Sequence, residues 1–218
     1  MSKSLRFLGR FYGQILLAIL AFAAIVLVGM FLIRDMDNLF GTYYKMFPML
    51  GVMVVAITMF SMAPYCNLAL SMNAGRPGLF GAVQIGLAVL SLTVPVVSKL
   101  LWGLGRALTG SAFSLGLPQL ALLAAGTLML GEISILATTL EGRLGRVVYV
   151  VAFVLYIVVC GILGAATALM EDEGGGTGIV ASLFSPQVLG IMLAVSLAVA
   201  AALAVLNLTR MKKAVVRV

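Results

Sequence analysis

The sequence predicts an all-α membrane protein. It has six transmembrane helices, both termini on the cytoplasmic side, an N-terminal amphipathic interfacial helix and a short re-entrant segment before the last helix. Three observations carry this. First, six long apolar runs fill the chain, roughly 12–33, 46–72, 79–97, 117–140, 147–170 and 188–208. A bilayer core of ~30 Å takes about 20 apolar residues of helix, so most of these runs qualify as spans. Second, hydrophobic residues make up 63% of the 218 and charged residues only 10%, with a mean hydropathy of +1.20. A soluble domain carries about a quarter charged residues, and no polar stretch here is long enough to build one. Third, the charges are asymmetric. If all six runs cross, ten of the 14 basic residues fall on one face: Lys3, Arg6, Arg10, Arg76, Arg143, Arg146, Arg210, Lys212, Lys213 and Arg217. Arg34, Lys45, Lys99 and Arg106 fall on the other face, with most of the acids. The positive-inside rule places the basic face, and both termini, in the cytoplasm. The net charge of +7 therefore reports topology and contact with the lipid bilayer, and a nucleic-acid partner is not expected.

Residues 1–11 read as an amphipathic interfacial helix. Leu5, Phe7, Leu8 and Phe11 share one side, and Lys3, Arg6 and Arg10 the other. The competing reading is a frayed tail, since Gly9 weakens so short a helix. Residues 12–209 form the six-helix transmembrane domain, and 210–218 a basic cytoplasmic tail. The first run contains Ala21-Phe22-Ala23, a small-x-small pattern, but continues to Ile33 and so reads as an uncleaved helix. Run two contains Pro48 and Pro64, and Pro64 predicts a kink within it. Asn67 just beyond calls for a partner in the bundle. Asn73-Ala74-Gly75-Arg76-Pro77-Gly78 is the sharpest turn signal in the chain.

Run three carries Gln84 and Pro95 and ends at Lys99 to Trp102, an interfacial anchor. A Gly- and Ser-rich outer loop is expected over 103–116. Run four carries Glu132, the only acid within a span, about 22 Å along it and so near the cytoplasmic end. Glu141 to Arg146 is a cytoplasmic turn. In run five Gly161, Gly164 and Ala165 permit close helix contact. Glu171 to Gly176 then makes an acidic, glycine-rich outer loop. The apolar patch Ile179 to Phe184, ended by Pro186, is too short to span and reads as re-entrant.

Absences limit the chemistry. The chain has no histidine, which excludes a Ser-His dyad, histidine metal ligands and a histidine proton relay. No GxxxxGK[ST] phosphate loop occurs. Cys66 and Cys160 lie inside apolar runs as small hydrophobes. No catalytic or metal site is expected. An acid within a span is costly and often functional. Glu132 is therefore singled out, against the alternatives that water reaches it or that Arg143 or Arg146 pairs with it. Tyr65, Asn67 and Gln84 are candidates to line a translocation path, or else form interhelical hydrogen bonds worth ~1 kcal/mol.

Six spans, a basic amphipathic lead-in and no ATP site resemble the permease subunit of an ABC-2-type exporter, of the small six-span kind found in Gram-positive bacteria. Ser71-Met72-Asn73-Ala74-Gly75-Arg76-Pro77-Gly78-Leu79-Phe80 is similar to that family's "S-x-G-x-T-R-K-x-F-F" turn after the second helix. It departs from the pattern at Asn73, Gly75, Pro77 and Leu79. Gly131-Glu132, followed by Gly142-Arg143-Leu144-Gly145-Arg146, is similar to the "G-E…R-F-G-(K/R)" stretch around the end of helix four.

The resemblance implies that Asn73, Ala74, Gly75, Arg76, Pro77, Gly78, Leu79 and Phe80 form the main segment coupling to a separate ABC ATPase. Glu132, Glu141, Gly142, Arg143, Gly145 and Arg146 would form the second contact region. It further implies a second permease copy, identical or related, and a bacterial cytoplasmic membrane. The chain itself would be no enzyme and bind no cofactor, with ATP and Mg on the partner. The expected function is export of a hydrophobic or amphipathic substrate. Two alternatives stay open: the substrate-binding membrane subunit of an energy-coupling vitamin importer, and a non-transport membrane scaffold. A co-transcribed ATPase gene separates the scaffold from the others.

Overall fold

The computed structural model describes residues 2–32, 37–71, 75–109, 116–140, 143–172 and 185–213. All regular secondary structure among them is helical: α1 (Ser2–Leu32), α2 (Asp37–Phe60), α3 (Ala63–Ser71), α4 (Arg76–Thr109), α5 (Leu117–Thr139), α6 (Arg143–Asp172) and α7 (Pro186–Lys213). Among the described residues, four stretches are long and apolar enough to cross a membrane: Arg6–Gly29, Arg76–Leu104, Leu117–Thr139 and Pro186–Met211. A bent pair, Phe47–Phe60 with Pro64–Leu70, makes a fifth if counted as one span. The chain is a multi-pass, all-helical membrane protein.

The helices run past the predicted limits of their apolar runs for local reasons. No break separates residues 2–11 from the first run, and both belong to the 31-residue α1. The apolar side of that lead-in packs on protein, with Leu8 and Tyr12 buried and Phe7 and Phe11 partly so. The kink expected at Pro64 is a true break, bent by 42°. It lies at Ser61 and Met62, just ahead of the proline, which cannot donate to the preceding turn. Ser61 Oγ donates instead to the Thr58 carbonyl at 2.9 Å, and helix resumes with Cys66 N–H on Met62 O at 3.0 Å. Pro48 and Pro95 sit inside continuous helix.

The predicted turn at Asn73 to Gly78 is shorter than expected. Arg76 opens α4, with Pro77 in its first turn, where a missing N–H costs nothing. At its far end α4 continues through Lys99 and Trp102 to Thr109, so the expected outer loop begins later. Trp102 is buried, not a lipid-facing anchor. It shares a face with Ser91, Val94, Ser98 and Leu101, all buried at helical spacing. Pro186 begins α7, with Ser185 before it receiving the Val188 N–H on its hydroxyl at 3.4 Å. The predicted re-entrant patch Ile179 to Phe184 lies outside the described residues. So do the last five residues of the predicted tail, whose first basic residues belong to α7.

Helices α4 and α5 form the centre. α4 packs on α1, α2 and α5, and α5 packs on α2, α4 and α6 and most extensively on α7. Close approach is made by glycine against a larger side chain. Gly51 of α2 faces Val94, where a Cβ would meet Cγ1 at 3.0 Å. A Cβ on Gly86 would run into the Tyr12 ring, and one on Gly131 into Leu87. Gly145 sets the first turn of α6 on the end of α5, where a Cβ would strike the carbonyls of Ala137 and Leu140. Stacked rings of Phe60 and Tyr149, 4.0 Å between centroids, join α6 to α2. The Tyr156 hydroxyl adds a hydrogen bond to the Met49 carbonyl. Interior hydroxyls are satisfied by back-bonding within their own helices, as Ser91 Oγ to Leu87 O and Ser98 Oγ to Val94 O, each at 2.7 Å.

Candidate functional site

The contacts of α4 and α5 bring several polar groups to one level near one end of the bundle. Leu87 of α4 lies on Gly131 of α5, and the next residue, Glu132, meets Asn207 of α7. Asn207 Nδ2 donates to Glu132 Oε2 at 2.8 Å and to the Glu132 backbone carbonyl at 3.0 Å. Both residues are buried, Glu132 to 1% exposure and Asn207 to 0%. At 1.5 Å per residue, Glu132 stands about 10 Å before the end of α5 and Asn207 about 9 Å before the end of α7. The Gln84 amide of α4 faces the same carboxyl group, although its Nε2 falls short of full hydrogen-bond geometry.

On the other side of α4 the Tyr12 hydroxyl donates towards Met62 Sδ at 3.3 Å and Val83 O at 3.4 Å. The break between α2 and α3 is thereby tied to α1 and α4. The side chain that ties it is held flat over Gly86.

The cations Arg6, Arg10, Arg76, Arg143, Arg146 and Arg210 are exposed. These lie at the start of α1, the start of α4, the start of α6 and the end of α7. Leu87 on Gly131 joins α4 to α5, and Asn207 on Glu132 joins α5 to α7.

The residues predicted to couple to a partner are divided by burial. Gly75, Arg76 and Pro77 are exposed, and Gly78 and Phe80 are half-buried. Leu79 is fully buried in the core, so its side chain is committed to the subunit itself. Arg143 and Arg146 are exposed, while Gly145 is buried under the end of α5. Asn73, Ala74, Glu141 and Gly142 lie outside the described residues.

Tyr65 and Asn67 lie apart from Gln84. Tyr65 and Asn67 are exposed on α3, the Tyr65 ring lying 4.4 Å from that of Phe11, while Gln84 faces the interior at Glu132. The break before Pro64 turns α3 away from the line of α2, so Asn67 reaches the surface rather than a bundle partner. The buried partner of Glu132 is not an arginine. It is the Asn207 amide, because α7 packs along α5 while the first turn of α6 points Arg143 and Arg146 outwards. Asn207 was legible to a closer reading: it is an amide within an apolar run, as far from the end of its helix as Glu132 is from the end of α5.

A shallow apolar groove lies between α2, α5 and α6, lined by Val52, Ala56, Leu130, Ser134, Tyr149 and Phe153 among others. Among the described residues, no group of three or more His, Cys, Asp or Glu side chains is placed to hold a metal. No family model, no curated protein and no solved structure matches the chain.

Proposed function

We propose that this chain is the membrane-embedded permease subunit of an ATP-driven exporter of the ABC-2 type. It works in a bacterial cytoplasmic membrane with a separate ATPase and a second permease copy, and its substrate is hydrophobic or amphipathic. In this reading α1, the bent pair α2 and α3, α4, α5, α6 and α7 make six crossings, with the arginine-rich end in the cytoplasm.

One observation carries the reading. The two segments that resemble coupling elements, Gly75 to Phe80 and Arg143 to Arg146, each open a helix and carry exposed arginines. Each rests on a core helix, through buried Leu79 in one case and through Gly145 against Ala137 and Leu140 in the other. A push on either first turn is therefore passed to α4 or α5, the two central helices. The chain contains no phosphate loop of its own, so such a push comes from a partner.

The test is co-purification of the chain with the ATPase encoded beside it, together with stimulation of ATP hydrolysis. Phe80→Ala should weaken association about tenfold, since the half-exposed ring has about 1.4 kcal/mol left to give a partner. Undiminished co-purification and full stimulation by that variant would count against the proposal. Orientation is checked with an impermeant thiol reagent on a cysteine-free background. Ala107→Cys should react in intact cells and Arg143→Cys only after permeabilisation, and the reverse pattern sinks the six-crossing arrangement.

A further inference from the structure

The contact between Glu132 and Asn207 leaves one atom unexplained. Both hydrogens of Asn207 Nδ2 are used, one on the Glu132 backbone carbonyl at 3.0 Å and one on Oε2 at 2.8 Å. The backbone carbonyl can only accept, so the amide cannot be flipped to place its oxygen there. Asn207 Oδ1 is then fixed on the other arm of the same planar amide. It is buried with no hydrogen-bond partner. A carboxylate anion offers it nothing, since an ionised carboxylate only accepts.

Among the described residues, the surroundings supply no countercharge. Arg76, Arg143, Arg146 and Arg210 are exposed. From Phe47 to Phe60, α2 carries no ionisable side chain. On α6, Tyr149 lines the same groove as Leu130 and Ser134. From α4 only the neutral Gln84 faces the group. An unpaired charge is costly in such a place, whereas a neutral acid with every polar atom bonded is not.

We propose that Glu132 binds a proton and closes a cyclic acid–amide pair with Asn207. Glu132 Oε1–H donates to Asn207 Oδ1 while Asn207 Nδ2 donates to Glu132 Oε2. The unpartnered oxygen and the uncompensated carboxyl group then satisfy one another, and no further group is required. The ring fastens α7 to α5 by two opposed hydrogen bonds. The proton is held rather than relayed, because the chain has no histidine and no second acid within an apolar run to pass it to. The inference does not depend on the transport reading.

Infrared difference spectroscopy at neutral pH tests it on the wild-type chain in lipid, with 13C-labelled and unlabelled glutamate compared. The other three glutamates, Glu141, Glu171 and Glu173, flank the apolar runs and contribute carboxylate bands. One isotope-shifted carboxylic-acid carbonyl band is expected, absent from Glu132→Gln. In Asn207→Leu the band should move to the higher frequency of an acid without a hydrogen-bond partner. Glu132→Gln should keep the wild-type melting temperature, since its amide can close the same ring, whereas Glu132→Ala should lower it. Absence of any acid band in the wild type overturns the proposal, as does a band that Asn207→Leu leaves in place. The wild-type isotope measurement decides the matter even if a variant fails to fold.

Discussion

Helices α4 and α7 look alike as sequences, each a long apolar run with a few polar residues, yet the bundle treats them differently. Half of the apolar stretch of α4 is buried, against 11% of that of α7. Leu79, Leu87, Leu90, Val94 and Leu101 of α4 are wholly or almost wholly covered. Ile191, Val195, Leu197 and Val205 of α7 stand open on the outer surface. The difference teaches what holds a helix in a medium as apolar as its own side chains. Covering a leucine gives little there, because lipid covers it as well. Attachment comes from shape and from polar groups that lipid cannot satisfy. α4 is held by shape, through Leu87 on Gly131, Val94 on Gly51 and Tyr12 on Gly86. α7 is held along one side of α5, with Asn207 as its one buried polar tie among the described hydrogen bonds.

The comparison breaks most sharply at Gly86. Gly86→Leu drives a side chain into the Tyr12 ring, which is itself held by Met62 and Val83. The expected cost is about 3 kcal/mol, read as a large fall in the melting temperature in mild detergent. Adding Tyr12→Ala makes room, so the double variant should be more stable than Gly86→Leu alone. If the two costs simply add, the ring is not what fills the space at Gly86.

Gly131→Val should cost somewhat less, about 2 kcal/mol, because Leu87 is a flexible side chain with some freedom to turn aside. It should also disturb Glu132 next to it. Cross-linking of α5 to α7 between introduced cysteines should lose efficiency in this variant. Unchanged cross-linking would separate the glycine contact from the polar tie.

Most of the fold was legible in the sequence, because apolar length reports a membrane helix whatever its neighbours do. Helix ends were less so. Pro64 marks a break that falls two residues ahead of it, because the constraint of proline acts on the turn before it. Pro48 and Pro95 carry the same residue type without a break. Trp102 has the composition of an interface anchor but the phase of a core residue, and phase is only decided once α4 is known to continue beyond Lys99. At the candidate site, Glu132 stood out as the one acid within a span. Its partner did not, because charge pairing suggests an arginine, while packing of α7 on α5 supplies an amide 75 residues away. The exposure of Tyr65 and Asn67 was hard to read for a related reason. Polarity within an apolar run says that a residue needs a partner or water, not which way its helix turns.

The smaller effects sharpen the contrast. Asn207→Leu removes the polar tie of α7 and leaves Glu132 without its bonded neighbour. Interhelical hydrogen bonds in membranes average about 0.6 kcal/mol and reach about 1.7, and the value here should lie near the top of that range because the partner is left buried and unsatisfied. On the open face of the same helix, Val195→Ala should cost close to nothing. It deletes two methyl groups that face the surroundings, at 56% exposure, and lipid or detergent fills the space they leave. The comparison is made by thermal unfolding of both variants in the same detergent. If Val195→Ala is as costly as Asn207→Leu, then the exposed face of α7 is covered by protein in the assembled state, and a second copy of the chain becomes the natural candidate to cover it. If the two differ as expected, α7 is a helix fastened from one side only, and Asn207 is what fastens it.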